Sequence, residues 1–290
     1  MESGGGLSDE GWERLRHLLP SDPPRGGRWR DHRSVIDAVA WKVRGNNAWR
    51  DLPEWFGPCQ TVFGRFRRWA RDGTWERILT ELQAQADAVG DIDWLVGVDS
   101  TTVRARQHAA GARKKGAPAG ESADHALGRS RGGLTTKVHL APDGRCRPLS
   151  LVVAALVVAA GHRHDPLFFE AVVNGIRVPR IGPGRPRTRP ERVSADRAYS
   201  SRAIRAHLRE RGVTAVIPQP ADQVANRKRR GSRGGRPPAY DRQAYKHRNT
   251  VERCVNRLKQ WRGIAVRTEK PAVHYLAALR VPAIFLWLKP

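Results

Sequence analysis

Negative charge is what this sequence has least of. Across 290 residues, 28 Asp and Glu stand against 53 Lys and Arg, leaving a formal charge of +25. That imbalance says little about fold and much about partners, because phosphate backbones attract such a chain and release counterions on binding. Cysteine is scarce too. Cys59, Cys146 and Cys254 lie far apart and form no CxxC pair, which argues against a zinc ribbon or a disulfide scaffold and suits a reducing compartment. Long apolar runs are missing: the longest, LSLVVAALVVAAG, is too short to cross a membrane as a helix. The start, MESGGGLSDEGW, has no basic segment followed by an apolar one, so no signal peptide is expected. The protein is therefore expected in the cytoplasm, and its basic charge leads us to expect it with the nucleoid. Against a tail-like basic protein stand 39% hydrophobic residues and ten Trp, enough to build a core.

Residues 8 to about 89 read as helices. Ser8 can cap a helix carrying Trp12, Leu15, Leu18 and Leu19 that stops at Pro20. RSVIDAVAWKVRG places Val35, Ile36, Val39, Ala40 and Val43 on one face. CQTVFGRFRRWARDG places Val62, Phe63, Phe66 and Trp69 on a stripe, leaving Arg65, Arg67, Arg68 and Arg71 for the more exposed side. TWERILTELQAQADAV packs Trp75, Ile78, Leu79 and Leu82. Two readings stand for this segment: a helix-turn-helix-like DNA-binding module with its arginines on DNA, or a helical bundle with solvated arginines.

From Asp91 the period changes to two. WLVGVDSTTV is a strand, LTTKVHLAPDGRCRPLSLVV a hairpin turning at Pro142-Asp143-Gly144, and RVSADRAYSS a strand ending near Asp196. DPLFFEAVVNGI and SRAIRAHLRERG are helices, TAVIP a strand, and YKHRNTVERCVNRLKQW one long helix. VHYLAALRVPAIFLWL supplies a last helix, expected to kink or break at Pro282. The order indicates an α/β domain with a mixed sheet. The expected division is a helical domain over 1–90 and a catalytic α/β domain over 91–290. Basic Gly/Pro/Arg-rich loops at 182–192 and 219–243 interrupt the second, the latter carrying Lys228, Arg229 and Arg230. Each loop holds Gly-Arg-Pro, which can lie in a minor groove or simply sit in a solvated loop that grips phosphates.

In so basic a chain, an apolar strand that ends in a carboxylate needs a reason. Asp99 follows WLVGV, Asp196 follows RVSA, and Glu252 is the only carboxylate between Asp241 and Glu269. Strand ends and one helix can converge on a cleft, where three carboxylates repel one another and DNA unless divalent cations neutralise them. Oxygen donors suit Mg²⁺ or Mn²⁺, and two such ions serve phosphoryl transfer. On the helix, Tyr245, Arg248, Glu252, Asn256 and Lys259 share a face, apart from Val251, Cys254, Val255 and Leu258. Helix periodicity alone equally allows an i, i+4 salt bridge between Arg248 and Glu252 on a solvated face.

Four separated stretches, VGVDSTTVRARQHAAGARKKG, DHALGRSRGGLTTKVHL, VSADRAYSSRAIRAHLRERG and YKHRNTVERCVNRLKQWRG, resemble the DDE-type transposases of bacterial insertion sequences, in particular the IS-five group of the IS-four-like superfamily. WRDHRSVIDAVAWKVRGNNAWRDLPEWFGPCQTVFGRFRRWARDGTWERIL is similar to the helical N-terminal region of the same group, so the resemblance covers nearly the whole chain. The pattern Y-x₂-R-x₃-E-x₆-K falls on Tyr245, Arg248, Glu252 and Lys259, the first acid on Asp99 in VDST and the second on Asp196 in ADRAY. The resemblance implies an RNase H-like catalytic fold and a metal-binding, catalytic role for Asp99, Asp196 and Glu252. It implies DNA contacts for Tyr245, Arg248 and Lys259, cleavage at terminal inverted repeats, and transfer of the freed 3′-OH into target DNA. Pairing two DNA ends asks for at least a homodimer. No covalent protein–DNA intermediate is needed, so Ser100, Thr101 and Thr102 are not expected to act as nucleophiles.

Three further features belong here. LVVAALVVAA at 151–160 is a tandem copy of LVVAA. Five extra residues in a strand would flip alternate side chains to the wrong face unless a bulge or loop absorbs them, so the copy is expected either to impair activity while sparing DNA binding or to be a harmless extension. GHRHD holds His162, His164 and Asp165, a metal-hydrolase pattern that lacks further His ligands at matching spacings and reads better as a polar loop. The rivals to the enzyme are a non-catalytic, transposase-derived DNA-binding protein or repressor, which would not need the acids, and a nuclease on the same fold that cuts without joining.

Overall fold

A computed structural model describes residues 6–21, 28–114, 125–130, 133–155 and 165–289. The second LVVAA copy at 156–160, and His162 and His164, lie outside the described residues.

The chain begins with four helices: α1 (Asp9–Leu15), α2 (His32–Gly45), α3 (Cys59–Arg71) and α4 (Thr74–Ala88). Their ends follow local chemistry. Ser8 Oγ accepts the Gly11 N–H at 3.0 Å and Asp31 Oδ2 accepts the Ser34 N–H at 2.8 Å. α2 closes on Asn46 in the left-handed conformation. The apolar faces read from the sequence are the buried ones: Val35, Ile36, Val39, Ala40 and Val43 on α2; Val62, Phe66 and Trp69 on α3; Trp75, Ile78, Leu79 and Leu82 on α4.

The sheet is built around β1 (Leu95–Ala105). β3 (Gly133–Pro142) lies antiparallel to it and β4 (Pro148–Ala155) antiparallel to β3, which is the expected hairpin. β2 (Gly128–Ser130) pairs with the start of β3. On the other edge of β1, β5 (Arg192–Ala195) and then β6 (Thr214–Val216) run parallel. The order β4-β3-β1-β5-β6, antiparallel on one side of β1 and parallel on the other, is the RNase H-like arrangement. A short β7 (Val266–Arg267) pairs with the end of β1, beyond the reach of β5.

The connecting helices are α5 (Gln107–Ala110), α6 (Asp165–Asn174), α7 (Arg202–Glu210), α8 (Ala221–Arg229), α9 (Arg242–Lys246), α10 (Asn249–Lys259), α11 (Arg262–Ala265) and α12 (Ala272–Leu288). Three depart from the sequence reading. The expected long helix over 245–261 is two, because the chain turns at His247 between α9 and α10. The segment expected as loop at 219–243 contains α8, which buries no residue and so leaves no apolar period to read. The last helix does not break: α12 is one helix across Pro282. Its surroundings hold it, since α12 packs on α4, α3, α2 and β4 and is buried through most of its length.

α12 also joins the helical region to the sheet. Its Trp287 Nε1 donates to the Pro148 carbonyl at 2.9 Å, the same carbonyl that accepts from Gln83 of α4 at 3.0 Å. Lys42 of α2 meets Glu269 at 2.7 Å, with both side chains buried. The hairpin turn rests on Asp143, fully buried, which accepts the Arg147 backbone N–H at 2.8 Å and its guanidinium at 2.7 Å, while that guanidinium lies 4.1 Å from the Trp287 ring.

Candidate active site

The site forms where β5 stops. β5 pairs with the first half of β1, ending at Val98 opposite Ala195, so the next residues, Asp99 and Asp196, emerge from neighbouring strands at one level. In an open α/β sheet, the space beyond the carboxyl ends of parallel strands is where ligands bind. Asp196 also caps the short turn that follows, accepting the Ala198 N–H at 3.4 Å.

Helix α10 supplies the third carboxylate. It buries Val251, Cys254 and Leu258, which leaves Glu252 exposed on its flank. The helix lies close on β1 because Gly97 lets it: a methyl group there would meet Val251 Cγ2 at 1.9 Å. Strand alternation puts Gly97 and Asp99 on the same side of β1, so this contact sets the distance between Asp99 and Glu252. A glycine inside a strand signals close backbone approach, and this was the available sequence clue.

Arg248 ties the site together. Its Nη2 donates to Asp99 Oδ2 at 3.1 Å and its Nη1 to Glu252 Oε1 at 3.0 Å. The i, i+4 salt bridge is therefore present, and the same guanidinium reaches the strand. Burial would lower the Arg248 pKa, but Asp99, then Tyr245, Asp196 and Glu252, outweigh it and raise the value. Tyr245, half-buried beside Tyr240 with ring centroids 5.6 Å apart, is held above the usual phenol range by burial, with Asp196, Tyr240 and Glu252 adding to the shift against Arg248. Lys259 is half-buried at the other end of α10, beside Thr101 and Val103, and burial lowers its pKa.

Among the described residues no three His, Cys, Asp or Glu side chains gather closely enough to hold a metal ion. Asp99 and Glu252 instead share the Arg248 guanidinium, which stands in for a cation between them. The donors are all carboxylate oxygens, the chemistry of hard divalent ions. Asp196 acts on the same arginine. In donor type, the residues fit a divalent cation.

The basic residues divide. Lys228, Arg229 and Arg230 are exposed at the end of α8, and Arg68 and Arg71 are exposed on α3, with Arg67 half-buried beside them. The three α3 arginines line a groove of about 500 Å³. Arg65 does not lie on the exposed side. It is 7% exposed, its guanidinium 3.8 Å from the Trp29 ring and 2.9 Å from His32 Nδ1. Its position one turn from Val62 and Trp69 sends it inward, where Trp29 supplies a face for stacking.

Comparison with known proteins agrees in two places. Residues 7–79 match the model of the IS4/5 transposase family, and residues 92–288 match that of the transposase DDE domain. Protein y4sN of Sinorhizobium fredii is 42% identical over 111 residues, which span 38% of this chain and 84% of that one. A 16.2 kDa protein of the insertion element IS402 from Burkholderia cepacia is 31% identical over 107 residues, 34% of this chain and 73% of that one. The solved Mos1 transposase paired-end complex with left transposon end aligns over 91% of this chain and 79% of that chain at 11% identity, with a TM-score of 0.26, too low to carry an argument.

Proposed function

The chain belongs to the IS4/5 family of DDE transposases, and from that premise we propose that it cleaves DNA at the terminal inverted repeats of an insertion sequence and joins the freed 3′-OH to target DNA. The observation that carries this reading is the junction at Arg248, where the strand carboxylate Asp99 and the helix carboxylate Glu252 share one cation at the end of the parallel strands.

In this reading Asp99, Asp196 and Glu252 are the catalytic acids and hold Mg²⁺ or Mn²⁺, two ions in all. When bound, such ions polarise the phosphoryl oxygens and favour deprotonation of the attacking hydroxyl. Arg248, planar and permanently charged, exchanges its carboxylate partners for the phosphate oxygens of the strand being cut. Tyr245 keeps its proton near neutral pH as any phenol does, burial reinforcing this, and serves as a hydrogen-bond donor to phosphate. Lys259 has no ion-pair partner among the described residues and neutralises a neighbouring phosphate. Arg67, Arg68 and Arg71 of α3, with Lys228, Arg229 and Arg230 of α8, grip the flanking duplex. The division into a DNA-binding region over 1–90 and a catalytic region over 91–290 belongs to this proposal, as do a homodimer on paired ends and a place in the cytoplasm with the nucleoid. Among the described residues no helix is long and apolar enough to cross a membrane.

The test is a cleavage assay on labelled duplex carrying the ends that flank the gene, with Mg²⁺ or Mn²⁺, beside Glu252→Gln. Metal-dependent 3′-OH ends that vanish in the variant support the enzyme. One observation favours a second reading, a catalytically inactive DNA-binding descendant: Arg248 bridges Asp99 and Glu252. DNA binding with no cleavage by either protein supports that one.

A further inference from the structure

A second concavity lies away from the carboxylates. It is a cleft of about 1100 Å³ between α2, α3, the end of β1 and the segment that leads into α12. Besides Lys42, four cations from four different segments line it: Arg50, Arg67, Arg106 and Lys270. None of these four side chains enters an ion pair among the described residues. Among the described residues the one acid in the lining is Glu269, which pairs with Lys42 at 2.7 Å, and that buried pair ties α2 to the segment that leads into α12. The cleft therefore collects like charges on a rigid frame, an arrangement that repels itself unless an anion enters.

The shape narrows the choice of anion. The volume exceeds the usual 300–1,000 Å³ of small-molecule sites. Arg67 lines both this cleft and the groove of Arg68 and Arg71 on α3, so one basic track runs from the face of α3 into the cleft. A continuous track suits a linear polyanion. Arg106 lies seven residues beyond Asp99 on the extended run of β1, roughly 23 Å away at ~3.3 Å per residue, so no single phosphate can touch both places.

We infer that this cleft is a second DNA site, in which Arg50, Arg106 and Lys270 hold the sugar–phosphate backbone of the duplex well away from the bond being cut. The inference rests on the transposase reading only for the identity of the polymer. It assigns a DNA-contacting role to three residues outside both the carboxylate centre and the α3 and α8 arginines.

The experiment measures binding without metal, so that no cleavage intervenes. Fluorescence anisotropy follows a duplex carrying the flanking ends across a salt series. Wild type is compared with Arg50→Ala/Arg106→Ala/Lys270→Ala and with an equal-charge control, Arg177→Ala/Arg209→Ala/Lys289→Ala, all exposed and outside the cleft. Circular dichroism and thermal unfolding first establish that both triple variants are folded. Loss of three phosphate contacts lowers the slope of log K against log salt by about 2.7, and this fall is expected for the cleft variant and not for the control. Equal slopes in the two variants would overturn the inference. The outcome is independent of cleavage: a wild-type protein that cuts while the cleft variant keeps its slope removes the cleft alone. One that binds through the cleft but never cuts removes the catalytic reading alone.

Discussion

Replacing Gly97 by alanine tests whether the close approach of α10 to β1 builds the active site. The added Cβ would meet Val251 Cγ2 at 1.9 Å, where carbon atoms rest at about 3.5–4.0 Å. Roughly 1.6 Å or more has to be recovered. Val251 is β-branched and on a helix, so its χ1 is strongly restricted and rotation is the harder way out. The helix retreats instead, and Glu252, the next residue, goes with it. The 3.1 Å contact between Arg248 and Asp99 then lengthens past hydrogen-bonding distance. Overpacking of this kind costs about 1–3 kcal/mol of stability, and a displacement near 1 Å at a catalytic group can cost about 100-fold in rate. Single-turnover cleavage and thermal unfolding measure the two effects. The double variant Gly97→Ala/Val251→Ala deletes the colliding methyl and is expected to regain cleavage. Gly64→Ala, on an exposed helical position with nothing within 4 Å, is expected to stabilise by about 1 kcal/mol and leave cleavage alone. Wild-type stability and cleavage in Gly97→Ala would refute the argument.

Other outcomes follow from the same geometry. Arg248→Lys should abolish cleavage nearly as fully as Arg248→Gln, since an ammonium cannot offer phosphate oxygens the planar fork that the guanidinium does; substantial activity in the lysine variant would contradict that role. Arg65→Ala should destabilise by about 2 kcal/mol through lost stacking on Trp29 and leave the salt slope of DNA binding unchanged, as checked by denaturant unfolding and the anisotropy series. Lys259 has a lowered pKa, so it loses its charge below the ordinary lysine range. DNA affinity should fall as pH rises through that lowered value, a step absent in Lys259→Arg. Because the fold disfavours the charged form, the contribution of Lys259 to stability has the opposite trend and improves over the same pH window.

How much could be read in advance depends on how local the cause is. The helical faces of α2, α3 and α4 follow from a 3.6-residue period, and the β3–β4 hairpin from alternation around Pro142-Asp143-Gly144, because burial on one face leaves a mark on the sequence. Arg65 was misread because its partner, Trp29, sits in a segment 36 residues earlier that no period connects to α3. The turn between α9 and α10 contains neither Gly nor Pro. α8 was taken for loop because a helix that buries nothing carries no hydrophobic signal, although Pro220 just before it is a common helix-start residue. The basic cleft could not be read at all, since Arg50, Arg106 and Lys270 meet only in three dimensions.

The acids themselves show how burial separates structure from chemistry here. Asp143 is fully buried and accepts from the Arg147 backbone and guanidinium and from the Arg145 backbone; Asp87 holds Arg180 at 2.9 Å and Arg187 at 3.2 Å; Glu269 pairs with Lys42 at 2.7 Å. Each of these buried carboxylates faces at least one cation, as burial of a charge requires, and Arg147 serves both Asp143 and Asp91. Asp99, Asp196 and Glu252 are not buried: Asp99 and Glu252 meet at the Arg248 guanidinium, and Asp196 adds a third negative charge that acts on the same arginine. Three carboxylates drawn to one arginine at the open end of the parallel strands, within reach of solvent, offer oxygen donors to a cation that arrives from outside.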